Sequence, residues 1–198
     1  ITGVYYLIFS AIGYGLNNAL LSIMSRRAGE DNRNEIFSSL WHGLILGLGL
    51  AAIFVAFTWA TVHPIMRWAG VESNGAKMAG SFLNIRICGL FFLYSLQMQN
   101  AFLISLQKTK YLIIIAIIQS LTNLALDYGL IFGHFGLPSL GFNGAAYASV
   151  ISEFLGMLTV IAIIYGLDVR RRFNIIPDFK IKLQTIRLVF TQGFPLMS

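Results

Sequence analysis

The charged residues of this chain fall in clusters, and the stretches between the clusters are long, apolar and almost free of charge. The apolar runs cover residues 2–25, 36–65, 78–106, 111–133 and 142–167. Each is about as long as the 20 residues an α-helix needs to cross the hydrocarbon core of a bilayer. Membrane-spanning β-strands would be about 10 residues long and strictly alternating, and these runs are neither. Only 11% of residues are charged, 57% are hydrophobic and the mean hydropathy is +0.73. A soluble domain carries about 25% charged residues. The sequence therefore predicts an all-α integral membrane fold, a polytopic helical bundle.

The polar connections fix an expected orientation. The first, SRRAGEDNRNE, carries Arg26, Arg27 and Arg33 and reads as helix-breaking. The third, QKTK, carries Lys108 and Lys110, and the fifth carries Arg170, Arg171, Arg172, Lys180, Lys182 and Arg187. The second and fourth hold only Arg67 and Lys77. Because positive residues stay on the cytoplasmic side, the loops at 26–35, 107–110 and 168–186 are expected there. Residue 1 then falls outside, which leads to the expectation of a preceding helix. FTQGFPLMS at the C-terminal end reads as the entry to a further span. Pro64 and Arg67 are expected to close the second run.

Residues 119–156 carry the sharpest chemistry. Asp127 lies inside an uncharged run that begins after Lys110. A carboxylate at bilayer depth is costly and marks a functional site by default. Gln119, Asn123 and Asp127 are spaced i, i+4, i+8 and form one polar stripe on a helix. Asp127 is therefore a candidate coupling-ion site, either taking a proton or holding Na⁺ with the Asn123 carbonyl oxygen. The competing reading is a structural hydrogen bond to a neighbouring helix. The turn GHFGLPSLG follows, and then a stripe of small residues at Gly144, Ala148, Ser152 and Gly156, which permits close helix approach in a membrane.

Glu153 shares a face with Ser149; it is read either as a cavity residue or as a partner of an amide or of Arg86. Arg86, in the third run, is expected to snorkel toward the headgroups. Gln97 and Asn100 are read as interhelical glue or as substrate-cavity residues. His42 is expected to pack near the cytoplasmic interface. Cys88 reads as a small buried hydrophobe; a single cysteine allows no internal disulfide or thiolate cluster. No HExxH, GxSxG, Walker or GxGxxG pattern occurs, and His42, His63 and His134 fall on different runs, so the sequence does not read as an enzyme. No basic patch with interleaved aromatics points to nucleic acid.

The segments GLNNALLSIMSRRAGEDNRNE, HGLILGLGL, NLALDYGLIFGHFGLPSLGFNGAAYAS and FTQGFPLMS together resemble the multidrug and toxic compound extrusion (MATE) family of secondary transporters. The third string is the most specific. The resemblance implies a twelve-helix fold of two six-helix lobes. The five runs would be helices two to six of the N-terminal lobe. Residues 1–186 would form that lobe with a trailing cytoplasmic linker, and 187–198 the start of the C-terminal lobe.

The family exports cationic or amphipathic drugs and metabolites in exchange for Na⁺ or H⁺. In one branch the N-lobe cation site uses an Asp of helix one, an Asn–Asp pair one turn apart on helix five, and a hydroxyl on helix six. Asn123 and Asp127 match the pair, Ser149 takes the hydroxyl position where Thr is usual, and Asn100 matches an amide facing the same cavity. Gln97, Gln119 and Glu153 join Asn100 as expected cavity residues.

The resemblance thus implies a multi-pass efflux antiporter of the cell membrane, the bacterial inner membrane being the expected one. It is expected to need no cofactor beyond its coupling ion and no metal beyond Na⁺ at Asp127. Its expected partners are a small-molecule substrate, membrane lipid, a first helix and a C-terminal lobe, the whole acting as a monomer. The alternatives are a lipid-linked saccharide flippase of the same superfamily and a non-transporting membrane interaction module.

Overall fold

The computed structural model describes residues 2–68 and 74–166. They form six helices: α1 (Thr2–Gly29), α2 (Arg33–Trp68), α3 (Asn74–Arg86), α4 (Gly89–Ser105), α5 (Lys110–Phe132) and α6 (Phe142–Gly166). No strand occurs among the described residues. Taking α3 and α4 as one interrupted span, five helical stretches are long and apolar enough to cross a membrane, the third running from Lys77 to Ser105. The chain is a multi-pass helical membrane protein. The segments expected to form the linker at 168–186 and the further span at 187–198 lie outside the described residues.

The first polar connection is shorter than its composition suggests. α1 runs on to Gly29, helped by an Arg26–Glu30 pair one turn apart. The chain then reverses through Asp31, in the left-handed region at φ 49°, and Asn32. The Asn32 side chain accepts a bond from the Glu35 N–H at 3.4 Å, capping α2. Arg27 ties the two helices together by pairing with Glu35 at 3.1 Å and donating to the Ser39 hydroxyl. His42, one turn on from Ser38, is fully buried and bonds to the Ser38 carbonyl oxygen at 2.6 Å.

The membrane-spanning stretch of the second run ends at Val62, just before Pro64, but the helix itself continues past the proline to Trp68. Proline removes one N–H and strains one turn, and four residues from a helix end there is little ladder left to break.

The third run departs from a single helix. α3 stops at Arg86 and α4 starts at Gly89. Between them the ladder tightens, with Cys88 N–H bonding to Ile85 and Leu90 N–H to Ile87, three residues back rather than four.

α4 is the axis of the bundle. It packs on α1, α2 and α6, and most of its residues are buried. Leu16, Leu20 and Met24 of α1 meet Leu40 of α2 and Met98 and Phe102 of α4 in one core cluster. Tyr6 and Phe9 meet Val55, Leu90 and Tyr94 in a second. Such packing, rather than hydrophobic collapse, holds helices together in lipid.

α5 packs chiefly on α6, as the second arm of a hairpin. Gly133 ends α5 at φ 77°, a left-handed conformation that L side chains adopt only at a cost, and its N–H closes back on Gly129 at 2.8 Å. The Leu140 N–H then reaches the Leu130 carbonyl at 2.8 Å and sets α6 alongside. The small-residue stripe faces inward: Gly144, Ala148, Ser152 and Gly156 are all buried. A Cβ at Gly144 would lie 2.6 Å from the Leu130 carbonyl oxygen, so the α5 backbone itself occupies that space.

Candidate functional site

Bringing α3, α5 and α6 together places polar side chains from all three around one cavity of about 240 Å³. Its lining is Arg86 of α3, Gln119, Ser120 and Asn123 of α5, and Ser149, Ser152 and Glu153 of α6. Helix periodicity accounts for each group. Gln119 and Asn123 are one turn apart on α5, and Ser149 and Glu153 are one turn apart on α6. Gly156 lies against Gln119, where a Cβ would come 3.5 Å from the amide.

The strongest interaction at the cavity is an ion pair. Arg86 donates from Nη1 to Glu153 Oε2 at 3.0 Å and from Nη2 to Oε1 at 2.6 Å, a bidentate fork. Tyr6 of α1 adds a third donor, its hydroxyl bonding to Glu153 Oε1 at 3.2 Å. The guanidinium carbon also lies 3.7 Å from the Tyr6 ring centroid, a close cation–π contact. The paired side chains are only 15% and 6% exposed. Gly89, at the first turn of α4, leaves the room: a Cβ there would run into Glu153 Oε2 and Arg86 Nη1.

This overturns the expectation that Arg86 snorkels outward. Length alone would let it reach the headgroups, but a bidentate carboxylate and an aromatic face inside the bundle replace its hydration. Pairing with Arg86 was one of the two readings open for Glu153. Tyr6 and Gly89 were not singled out in the sequence. The one available signal was an arginine and a glutamate in different apolar runs, each needing a partner.

The remaining predicted residues are placed as follows. Asn123, Ser149, Gln119 and Glu153 line the same cavity. Asp127 lies one turn further along α5, half-buried, and is not among the lining residues. Its Oδ1 is shielded and has no hydrogen-bond partner among the described residues. An unpartnered carboxylate oxygen within a turn of an amide fits either a proton or a hard cation. Gln97 and Asn100 are on α4, away from this lining. Gln97 is buried against α1, where a Cβ at Gly13 would come 2.8 Å from its Oε1. Both Gln97 amide atoms and Asn100 Oδ1 are shielded without partners among the described residues. No cluster of three or more His, Cys, Asp or Glu fit for a metal ion occurs there either.

A bundle of membrane-spanning helices with a broken third span and a polar, charge-bearing cavity in its wall is the architecture of a multi-pass membrane protein. Residues 2–129 match the MatE family profile, and the chain belongs to that family.

Among relatives, it is 29% identical over 178 residues to a probable multidrug resistance protein NorM of Rhizobium meliloti, covering 90% of this chain and 38% of that protein. It is 27% identical over 171 residues to a protein of the same name from Bacillus anthracis, covering 85% and 38%. Among solved structures, an inward-facing multidrug resistance MATE family transporter of the MOP superfamily superposes with a TM-score of 0.82 at 21% identity, over 100% of this chain and 43% of that one. An outward-facing counterpart gives 0.76 at 24% identity, over 98% and 43%. The chain thus spans about two-fifths of the length of the relatives it matches.

Proposed function

We infer that the protein works as a secondary active exporter, moving cationic or amphipathic compounds out of the cell against an inward flux of Na⁺ or H⁺. The bacterial inner membrane is its proposed site of action. Family membership and the probable multidrug resistance function carried in the relatives' names support this reading. The observation that carries it is the unpartnered Asp127 carboxylate oxygen at membrane depth, one turn from a cavity holding Asn123 and Ser149. Occupation of Asp127 by a proton or Na⁺ neutralises a half-buried negative charge and gives its unpartnered oxygen a partner. If one of two bundle arrangements binds the ion better, ion binding shifts the population between them and drives substrate release. Asn100, Gln97 and Gln119 contribute amides to the substrate path in this scheme.

The test is Asp127→Asn in the full-length protein, which keeps size and hydrogen bonding but removes the ionisable group. Expression is retained and ion-driven efflux is lost in everted vesicles. Efflux that keeps its ordinary Na⁺ or pH dependence in this variant would remove Asp127 from the coupling role.

A further inference from the structure

The Arg86–Glu153–Tyr6 cluster has no part in the coupling scheme, yet it places two full charges inside the membrane wall. A buried ion pair is a poor source of stability, since well-packed apolar side chains of similar volume do as well or better. Charges held at bilayer depth point instead to function. The geometry has a specific chemical form. A carboxylate and the face of a tyrosine ring together make up the two elements that recognise an organic cation, and here the Tyr6 hydroxyl holds the carboxylate in place by donating to Glu153 Oε1. In this structure both are taken by a group of the protein itself: the Arg86 guanidinium sits 3.7 Å from the Tyr6 ring centroid and forks onto both oxygens of Glu153.

We propose that Glu153 and Tyr6 form an organic-cation subsite, and that Arg86 is its tethered occupant, displaced when a small monocationic head group enters from the adjoining cavity.

Three further observations carry the proposal. Arg86 and Glu153 both line the cavity, so the pair is reached from it rather than sealed behind it. The rest of the lining offers Ser149, Ser152, Asn123 and Gln119, whose hydroxyl and amide oxygens can receive a displaced guanidinium. Arg86 is also the last residue of α3, beside the tightened turn at Ile87–Cys88, so its departure leaves the packed body of α4 in place. The volume limits the ligand. About 240 Å³ is below the roughly 300–1,000 Å³ that drug-sized ligands fill. The subsite therefore takes a guanidinium, amidinium or small quaternary ammonium group, with the remainder of a larger molecule left outside it.

This subsite rests on the exporter reading for its purpose but not for its test, which measures equilibrium binding with no ion gradient. The probe is methylguanidinium, titrated by calorimetry against the purified full-length protein in detergent. A tethered competitor holds a high effective concentration at its own site, so wild type binds weakly and Arg86→Ala binds roughly ten-fold tighter or more. The double variant Arg86→Ala/Glu153→Gln, which removes both charges together, binds no probe. If Arg86→Ala does not fold, Arg86→Gln replaces it with the same expectation, since its neutral amide competes poorly for the carboxylate. Equal affinity in wild type and the Arg86 variant, or binding that survives in the double variant, overturns the proposal. Asp127→Asn separates the two readings: it leaves methylguanidinium binding unchanged even where it abolishes efflux.

Discussion

Arg86 and Glu153, 67 residues apart in the chain, are joined by two N–H···O bonds of 3.0 and 2.6 Å that tie the broken third span to α6. The pair links α3 to α6 directly and α1 to both through Tyr6. Breaking a buried pair by removing one partner leaves an uncompensated charge and costs about 3–5 kcal/mol, whereas removing both can be close to neutral. Arg86→Ala and Glu153→Gln are each expected to lower thermal stability in detergent strongly, and the double variant to recover most of the loss. Additive losses in the double variant would mean that the two side chains do not act as a unit.

Gly89 provides an independent check on the same geometry. A Cβ at this position would overlap Glu153 Oε2 and Arg86 Nη1. Overpacking of this kind costs roughly 1–3 kcal/mol. Gly89→Ala is therefore expected to destabilise the wild-type protein and to cost much less when Arg86→Ala and Glu153→Gln are already present. An equal cost in both backgrounds would place the constraint in the backbone of the break instead of in the pair.

These two residues also mark where sequence reading stops. The helices were legible because their spacing is imposed by the bilayer: five apolar runs of spanning length, holding at most one charged residue each, became five spans. The α5–α6 hairpin was legible from GHFGLPSLG and the glycine-bearing stripe after it. The break at Ile87–Cys88 was not, because no proline or glycine pair marks it and Gly89 alone is common in membrane helices. The partner of Arg86 was not fixed either, since an arginine within nine residues of a span's end can reach water or a carboxylate, and only the packing of α3 on α6 decides. For Gln97 and Asn100 the sequence gives their shared face of α4 but not the neighbour. Gln97 turns out to face Gly13 of α1.

Gly144 tests the close approach of α5 and α6. A Cβ there would come 2.6 Å from the Leu130 carbonyl oxygen and 2.9 Å from the Ile131 nitrogen, and backbone cannot rotate aside as a side chain can. Gly144→Leu is expected to reduce the folded yield of the full-length protein sharply, and Gly144→Ala to reduce it less. Unchanged yield and melting temperature in the leucine variant would show that the hairpin tolerates a wider separation.

The expected orientation rests on basic residues in alternate loops. Thr109 precedes α5 and Ser139 lies in the turn after it, and both are exposed. In a Cys88→Ala background, cysteine at Thr109 is expected to react with a membrane-impermeant maleimide only in everted vesicles, and cysteine at Ser139 only in intact cells. Labelling of both from one side would mean that α5 does not cross the bilayer.

Ser149 addresses the proposed coupling site without touching its charge. Its hydroxyl lines the cavity with Asn123, one turn from Asp127 on the facing helix, and it is a neutral oxygen that can help hold a hard cation. A proton needs only the carboxylate, whereas Na⁺ needs several oxygens around it. Ser149→Ala removes that oxygen, and Ser149→Thr keeps it while adding one methyl group. If Na⁺ is the coupling ion, Ser149→Ala raises the Na⁺ concentration needed for half-maximal efflux by about ten-fold, the equivalent of losing one hydrogen-bond-sized contact of about 1.4 kcal/mol, while Ser149→Thr stays near wild type. If H⁺ is the coupling ion, neither variant changes the proton dependence of efflux by a comparable amount. Na⁺-dependent transport in which Ser149→Ala and Ser149→Thr are equally impaired would place the defect in packing and remove the hydroxyl from the ion's coordination.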